Sequence, residues 1–287
     1  MSLVLRSGEA ARGPYALEVT PESAGWGHSG LRVLELAAGQ REELDTGDTE
    51  VVVLSLGGSA DVTVDDRSFA LEGRASVFDG PSDVVYAPRD ARLVVSSAEG
   101  GRFALASAVC ERRLEPAHLP KQDVPVEMRG AGQSSRQVNN FGVPGVLDAD
   151  RIIACEVLTP GGNWSSYPPH KHDEEREGET RLEEIYYFEV ADGPAGPGIG
   201  FQRVYGHESA DIDIAAEVRS GDVVLIPHGW HGPSMAAPGY DLYYLNVMAG
   251  PGAERAWLIC DDPDHAWVRD TWADQPIDPR LPFGGNA

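Results

Sequence analysis

Residues 47–58 read GDTEVVVLSLGG, and residues 181–193, RLEEIYYFEVADG, repeat their order of residue types. Each stretch places a glutamate before a run of apolar β-branched or aromatic residues and then reaches a glycine. Such runs favour β-strands, and glycine favours the turns between them. In both halves a hairpin, a second strand and a glycine-started run that ends at proline follow. These later parts are SADVTVDD (59–66) and EGRASVFDGPSDVVYAP (72–88) in the first half, and GIGFQRVYG (198–206) and EVRSGDVVLIPHGWHGP (217–233) in the second.

This internal repeat predicts two β-barrels related by duplication, with two unrelated β-domains as the alternative. The apolar runs recur about every 8–12 residues, which is typical of an antiparallel sandwich or barrel and leaves little room for crossover helices. We therefore expect an all-β protein of two antiparallel barrels. Strands are expected at Val51–Leu56, Ala60–Val64, Ala75–Phe78, Val84–Ala87, Leu93–Ser96 and Phe103–Val109, and at Ile152–Leu158, Ile185–Val190, Ile199–Tyr205, Asp211–Val218, Asp222–Pro227 and Tyr240–Met248.

The chain is predicted to divide into two barrels and a connection. Residues 116–150 are rich in proline and glycine and show no sustained strand or helix period, so we expect a linker there. Residues 1–115 then form the first barrel, and residues 151–287 form the second barrel and a tail. The tail is expected to pack a short helix and an extended arm onto a barrel through its tryptophans, Trp257, Trp267 and Trp272.

The composition excludes several classes of function. The 287 residues carry a formal net charge of −23 at pH 7, which repels phosphate backbones and anionic lipids and excludes nucleic acid and membrane surfaces as partners. Three widely separated cysteines fit neither a disulfide framework nor a cysteine-based zinc site, so we expect reduced thiols. The N-terminus lacks a secretory signal and no segment is apolar enough for a membrane helix, so we expect a cytoplasmic protein.

The histidines are concentrated in the second half of the chain. Five of the eight lie within residues 170–231, and the expected barrel over residues 47–110 has none. His170 and His172, in PPHKHD, are two residues apart, so a strand directs both imidazoles to the same side of its sheet. Two converging nitrogen ligands suit a divalent transition metal better than calcium or magnesium. Lys171, between them, is expected to face the opposite side.

A third ligand is predicted at the start of the strand EIYYFEV. Glu184, Tyr186 and Phe188 share one face of that strand, and Phe188 is expected to fill the barrel interior. The same parity sends Glu183 to the other face, although a register shifted by one residue reverses the choice. The other acidic residues from Asp173 onward are expected to be solvated charges of a long loop.

The fourth ligand is predicted in the turn of GDVVLIPHGWHG (221–232). A strand that ends in Pro-x-Gly places a turn at the barrel mouth, and a histidine just after it points back toward the interior. We therefore expect His231 to be the ligand, with His228 as the alternative. The residues thus predict a divalent metal site made of four side chains, His170, His172, Glu184 and His231.

The order His-x-His, then glutamate, then Gly-x5-Pro-x-Gly-x-His is similar to the two-part metal motif of cupins, which are small antiparallel barrels. A longer resemblance is more specific. It joins WSSYPPHKHDEEREGETRLEEIYYFEV (164–190) with VFDGPSDVVYAP (77–88), RGAGQSSRQVNNF (129–141) and PHGWHGPSMAAPGYDLYYLNVMAG (227–250). Together these stretches closely resemble the 5-deoxyglucuronate isomerase family of inositol catabolism, two-cupin enzymes related to 5-keto-4-deoxyuronate isomerase.

The resemblance implies a fold, a cofactor and a reaction. It implies a bicupin in which His170, His172, Glu184 and His231 hold one divalent metal ion per chain and the first barrel has lost its ligands. Zinc is the expected metal, with manganese and iron as alternatives. The implied reaction interconverts 5-deoxy-D-glucuronate and 5-dehydro-2-deoxy-D-gluconate, an aldose–ketose isomerisation.

That reaction makes demands on residues beyond the metal site. Moving a proton between adjacent carbons through an enediol needs an electrophile for the oxyanion and a base for the proton. Tyr186 and Tyr244 are the candidate catalytic side chains, with a carboxylate ligand or a metal-bound water as alternatives. A sugar acid also needs a local cation in so acidic a protein. Arg203, in GFQRVYG, is the first candidate and Arg136 the second.

Two other functions use the same residues. A cupin dioxygenase would hold iron with the same three histidines and one glutamate and would consume oxygen. A non-catalytic sugar-binding bicupin would keep the metal for structure alone. In each case the expected partner is a small-molecule sugar acid, and a homo-oligomer is left open.

Overall fold

The computed structural model describes residues 2–285. The first half of the chain is built almost entirely of antiparallel strands, which form one sheet that curls into a barrel. Its elements are β1 (Val4–Leu5), β2 (Tyr15–Val19), a short helix α1 (Pro21–Ala24), β3 (Ser29–Leu36), β4 (Gln40–Asp45), β5 (Thr49–Val64), β6 (Arg67–Arg74), a 3₁₀ turn (Val77–Asp79), β7 (Val84–Ala87), β8 (Arg92–Ser97) and β9 (Gly101–Val109).

The second half forms two sheets that face one another. Its elements are β10 (Ala117–Leu119), a 3₁₀ turn (Lys121–Asp123), β11 (Val126–Arg129), a 3₁₀ turn (Gly132–Ser134), β12 (Arg136–Gly142), β13 (Ile153–Thr159), β14 (Trp164–Ser165), β15 (His170–Lys171), β16 (Glu183–Val190), β17 (Gly200–His207), β18 (Ala210–Val218), β19 (Val223–Ile226), β20 (Trp230–Ala236), β21 (Leu242–Ala249), β22 (Cys260–Asp261) and a 3₁₀ helix (Ala266–Asp274).

The long strand β5 closes the first barrel because it belongs to both of its layers. Its first part pairs with β7 and β9, and its last part pairs with β6 and β8. The strand bends at Gly57 and Gly58, where the pairing with β9 shifts register. Gly58 has a φ of +100°, and a Cβ there would lie 2.7 Å from the carbonyl oxygen of Gly100. Only glycine fits this crossing of two strands.

The two halves repeat one strand order. The order β7-β5-β9-β3-β2 in the first half matches β19-β16-β21-β13-β12 in the second. The registers also correspond, since Glu50 pairs with Ala108 and Glu183 pairs with Ala249 at the starts of β5 and β16. By this correspondence Val51 occupies the position of Glu184. The expected duplication therefore extends to individual residue positions.

Among residues 2–285, the three largest of four apolar clusters lie within and between the barrels. One fills the interior of the first barrel, a second fills the interior of the second, and the largest lies between the two. Both faces of β5 and β16 are therefore covered, which explains their continuous apolar runs. Along β16, Tyr186 and Phe188 point into the barrel, whereas Ile185 and Tyr187 join the cluster between the barrels.

Each half of the chain contributes an edge strand to the other half. β1, at the N-terminus, pairs with β19 of the second barrel, and β10, which follows the first barrel, pairs with β7 of the first. These two short strands occupy equivalent places in the matching sheets. The exchange covers a sheet edge in both barrels and joins the two halves by backbone hydrogen bonds.

The segment 116–150 and residues 75–78 depart from the sequence expectations. The segment is more than a linker, since β10 lies in the first barrel's sheet and β11 and β12 extend the sheet of β13. Proline and glycine interrupt the segment, so the two-residue alternation typical of strands is not recognisable in its sequence. Ala75–Phe78 is not a strand because Ser76 and Asp79 form a reciprocal capping box around a 3₁₀ turn.

The tail forms the expected short helix and extended arm, but Trp267, one of the tryptophans expected to pack onto a barrel, is exposed. The 3₁₀ helix Ala266–Asp274 lies against the second barrel, and the arm after it reaches the first, where Phe283 packs near Phe78. Over residues 2–285, no helix is both long and apolar enough to cross a membrane.

Two carboxylates, a buried one at Glu50 and a partly buried one at Glu183, fix the barrels to one another in a reciprocal way. Glu50, at the start of β5, accepts hydrogen bonds from the backbone N–H groups of Asp150, Arg151 and Ile152 at 2.6–2.8 Å. Glu183, at the start of β16, accepts hydrogen bonds from the N–H groups of residues 27–29 at 2.8–3.2 Å. A charged acceptor binds such donors more strongly than a neutral one.

We expect Glu50→Gln to lower the free energy of unfolding by about 2 kcal/mol, because an amide NH₂ would face backbone donors in a buried site. Urea unfolding followed by tryptophan fluorescence measures this change. Glu99→Gln is the matched control, since Glu99 is exposed. Equal stabilities of the two variants would show that Glu50 does not join the barrels.

Candidate metal centre

The register of β15 and β20 brings the histidines of the second barrel together. His170 on β15 lies directly opposite His231 on β20, and His172 follows β15 by one residue. The ring centroids of His170 and His172 lie 4.5 and 4.7 Å from that of His231. One nitrogen of each histidine lies within 4.8 Å of the others, and all three side chains are buried.

The backbone orients two of these imidazoles. Nδ1 of His172 lies 3.3 Å from the carbonyl oxygen of Leu182, and Nδ1 of His231 lies 3.1 Å from that of Gly229. A carbonyl oxygen only accepts, so Nδ1 must donate and Nε2 keeps its lone pair for a ligand. Nε2 of His231 is fully buried with no hydrogen-bond partner in the part of the chain that the structure describes. Such an orphaned nitrogen fits a metal ligand.

Glu184 completes the cluster. Its Oε2 lies 3.1 Å from Nε2 of both His172 and His231, and its Oε1 accepts a hydrogen bond from the Asn246 amide. Burial alone would raise the pKa of Glu184, but the adjacent imidazoles of His231 and His172 lower it, which keeps the carboxylate ionised. Burial and the neighbouring histidines hold the pKa of His170 well below its usual range. Ionised Glu184 and neutral His170 are therefore in their metal-binding forms. Burial would lower the pKa of His172, but its contact with Glu184 raises it.

The structure brings together all four predicted ligands and separates them from the alternatives. His228 lies at the surface side of the turn, where its Nε2 is 3.2 Å from the carbonyl oxygen of Asp211. Glu183 binds the first barrel through residues 27–29. The donor set of three nitrogens and one carboxylate oxygen fits a divalent transition metal.

Lys171 faces away from the cluster, as the strand parity predicts. Its ammonium group contacts three carboxylates, those of Asp173, Glu174 and Glu179, at 2.7–2.8 Å. Burial would lower the pKa of Lys171, but these hydrogen bonds raise it, so the lysine stays charged. The acidic loop is therefore not merely solvated, because part of it folds around this buried cation.

A cavity of about 200 Å³ opens beside the histidines. Both candidate tyrosines line it, and Ser166 Oγ lies 3.0 Å from the Tyr186 hydroxyl and 3.1 Å from the Tyr244 hydroxyl. The two rings stack at 5.0 Å. Burial raises the pKa of both tyrosines, so their hydroxyls remain protonated at neutral pH. The cavity is lined by Arg129, Arg136, Val138, Cys155, Val157, Ser166, His170, Tyr186, Tyr244, Asn246, Trp257, Ile259 and Arg269.

The two candidate arginines lie in different places. Arg136 is 5% exposed and lines the cavity. Arg203 lies on β17, where its guanidinium pairs with Asp213 and donates to the carbonyl oxygens of Val204 and Ile214. Among the residues described as lining the cavity, Arg203 is absent. The sequence placed Arg203 in a strand, but its position in a strand does not determine which side of the barrel it faces.

Sequence reasoning missed several side chains of the cavity. Asn246 had a usable signal, because it is polar and shares the inward parity of Tyr244 on an otherwise apolar strand. Arg129 and Ser166 had none, since they come from the supposed linker and from a loop. Trp257 and Arg269 come from the tail, to which no chemistry was assigned.

The fold and the site together define a class of protein. Two antiparallel barrels of one strand order, with a buried centre of three histidines and one glutamate in the second, are a bicupin with a candidate metal site. The fold prediction is confirmed by the crystal structure of the oxalate decarboxylase formate complex of Lactobacillus farciminis, which has a TM-score of 0.65 at 15% identity and covers 96% of this chain and 97% of that one.

The chain belongs to the KduI/IolB family, whose model matches residues 3–268. A 5-deoxy-glucuronate isomerase of Geobacillus kaustophilus is 41% identical over 260 residues, 89% of this chain and 91% of the relative. A 5-deoxy-glucuronate isomerase of Bacillus subtilis is 36% identical over 275 residues, 93% of this chain and 99% of the relative. The crystal structure of an IolB-like protein from Salmonella typhimurium has a TM-score of 0.85 at 34% identity and covers 93% of this chain and 99% of that one.

The adjacent glutamates of β16 provide a matched pair for a test. We expect Glu184→Gln to weaken zinc binding at least about tenfold, because the anionic oxygen is lost from the centre. Glu183→Gln should keep zinc affinity and lower the midpoint of urea unfolding, because Glu183 binds the backbone of the first barrel. Competition with a chromogenic chelator measures the affinity. The reverse ranking would contradict the assignment of Glu184 to the metal.

Proposed function

We propose that this protein is a metal-dependent isomerase that converts 5-deoxy-D-glucuronate to 5-dehydro-2-deoxy-D-gluconate. One observation carries the proposal. A single cavity is lined both by His170 of the candidate metal centre and by the buried cation Arg136. A sugar acid needs both, since its carbonyl end reacts and its other end is anionic. The isomerase names of the Geobacillus and Bacillus relatives support the choice of substrate.

His170, His172, Glu184 and His231 would hold the metal, which we take to be zinc. When bound, the metal supplies Lewis acidity toward the substrate's carbonyl and neighbouring hydroxyl oxygens. Asn246 orients the carboxylate through its hydrogen bond to Glu184 Oε1. The apolar wall at Val138 and Val157 limits water around the sugar.

The hydrogen-bonded hydroxyl groups of Tyr186, Ser166 and Tyr244 are proposed to exchange protons with the oxygens of the substrate. Isomerisation through an enediol requires one oxygen to gain a proton while its neighbour loses one. Tyr186 can donate its proton to the first oxygen and recover one from Ser166, which is within hydrogen-bond distance of Tyr244. The raised pKa values of the tyrosines make them donors rather than bases.

The substrate's carboxylate is proposed to bind Arg136 rather than Arg203. The Arg136 guanidinium lines the cavity and has no carboxylate within 4 Å among residues 2–285. Arg203 already pairs with Asp213. A free guanidinium fork matches the two oxygens of a carboxylate.

We expect the zinc-loaded protein to convert 5-deoxy-D-glucuronate to the 2-keto acid without consuming oxygen. Proton NMR in deuterated water follows the conversion, and solvent deuterium at the migrating position marks the enediol route. His172→Ala should lose metal and turnover while keeping a β-rich circular dichroism spectrum. Oxygen uptake with this substrate would favour a dioxygenase and contradict the proposal.

We expect Tyr186→Phe to lower kcat by roughly 10²-fold, because a proton donor is lost while the ring remains. Tyr243→Phe is the matched control, since its hydroxyl donates to Glu156 on the opposite face of β21. That variant should lose stability and keep kcat. Similar kcat values for both variants would remove Tyr186 from the mechanism.

A further inference from the structure

Three arginines line the cavity, although the chain as a whole is strongly acidic. Arg136 begins β12, Arg129 ends β11, and Arg269 lies on the 3₁₀ helix of the tail. Arg129 and Arg136 lie opposite one another across the β11–β12 hairpin, and the packing of the tail brings Arg269 to the same cavity. This concentration of positive charge is not required by the fold, because each guanidinium would be solvated on the surface at lower cost.

Two of the three arginines already have a carboxylate partner. Arg129 donates from Nε and Nη2 to the two carboxylate oxygens of Glu127 at 3.0 and 2.7 Å. Arg269 donates from the same two nitrogens to both oxygens of Asp261. Across residues 2–285, the Nη1 group of each has no hydrogen-bond acceptor. Each pair is therefore electrically neutral but keeps one donor group for a ligand.

Arg136 has a different environment. Its Nη1 donates to the carbonyl oxygens of Ser134 and Tyr167 at 3.0 and 3.3 Å, which supply no charge. Within the described part of the chain its Nε and Nη2 donate to nothing. Burial lowers the pKa of Arg136 to about 10, and the positive charges of Arg129 and Arg269 act in the same direction. The side chain is still charged at neutral pH, so the cavity holds one uncompensated buried cation.

Tryptophans of the tail hold the three guanidinium groups. The guanidinium carbons of Arg136 and Arg269 lie 5.6 and 5.1 Å from the centre of the Trp272 ring, and that of Arg129 lies 5.7 Å from the centre of the Trp257 ring. These are cation–π distances. The tail thus fixes where the positive charge stands relative to the histidine centre.

We propose that Arg129, Arg136 and Arg269 form a receptor for a single negative charge, through which the enzyme selects sugar carboxylates over sugar phosphates. The three arginines and the carboxylates of Glu127 and Asp261 together leave one positive charge. A sugar carboxylate neutralises this charge, whereas a phosphate group, with a charge of about −1.5 to −2, does not match it. Arg269 is then a specificity-determining residue supplied by the tail. The inference rests on the proposed function only in placing the sugar acid in this cavity.

The decisive variant changes the charge of the receptor without removing an arginine. Asp261→Asn leaves the receptor with two uncompensated positive charges. We expect the ratio of the Kd of D-glucose 6-phosphate to that of D-glucuronate to fall roughly tenfold, because the added charge favours the dianion. Isothermal titration calorimetry of the zinc-loaded protein measures both constants, with D-glucose as the neutral probe. Glu217→Gln is the matched control, since it frees the exposed Arg219 in the same way.

A second variant tests Arg269 directly. Arg269→Gln should raise KM for 5-deoxy-D-glucuronate roughly tenfold and leave kcat within about threefold, because a charged hydrogen bond to the non-reacting end is lost. Arg219→Gln should leave both constants unchanged. Arg136→Lys keeps the positive charge but loses the planar guanidinium that can bind both oxygens of a carboxylate. We expect it to weaken D-glucuronate binding roughly tenfold in a folded protein.

The outcomes separate the two proposals. An unchanged Kd ratio in Asp261→Asn, or an Arg269→Gln variant that behaves like Arg219→Gln, would overturn the receptor. If D-glucuronate binding responds as expected while 5-deoxy-D-glucuronate is not isomerised, the proposed function fails and the receptor stands. Turnover with no response in any of these variants retains the isomerase and removes the receptor.

Discussion

Two adjacent carboxylates at the start of β16 determine how the second barrel is built and what it contains. Because successive side chains of a strand point to opposite faces, Glu183 binds backbone N–H groups of the first barrel and Glu184 enters the histidine cluster. Any shift of register would exchange an inter-barrel anchor for a ligand. The packing between the barrels and the composition of the centre are therefore set by the same pairing of β16 with β21.

The first barrel has different residues from the second at the position of the metal-site glutamate but not at the position of the anchoring glutamate. At the position of Glu184 the first barrel has Val51, which packs inside an interior of aliphatic and aromatic side chains. At the position of Glu183 it has Glu50, which binds the backbone of the second half. The anchoring carboxylate is present in both copies, whereas the carboxylate of the centre is present in one. The first copy thus supports a site that it does not itself contain.

Much of the fold and of the histidine centre could be predicted because both depend on local patterns. Strand alternation placed His170 and His172 on one side and separated Glu184 from Glu183, and the turn after β19 favoured His231. These predictions need only residue spacing and the two-residue period of a strand. The ligand roles themselves stay predictions until a metal is measured.

The remainder of the site could not be predicted because it depends on contacts between distant segments. Arg129 and Arg136 belong to strands in the segment that was expected to be a linker, so Arg136 was only the second candidate for the substrate's carboxylate and Arg129 was not named. Arg269 reaches the cavity through the packing of the tail. Arg203 shows the converse, since this strand arginine was the first candidate for the substrate's carboxylate and instead pairs with Asp213. Sequence patterns specify which face of an element is buried, but they do not specify which cavity that face adjoins.

The exchange of β1 and β10 between the barrels also concerns how the polypeptide reaches this shape during synthesis. β1 leaves the ribosome first, but its partner β19 is made only near the end of the second barrel. The first barrel can cover the edge of β7 as soon as β10 is made, whereas the edge of β19 in the second barrel is covered only by β1 from the start of the chain. A second half made as a separate chain would therefore leave the edge of β19 open.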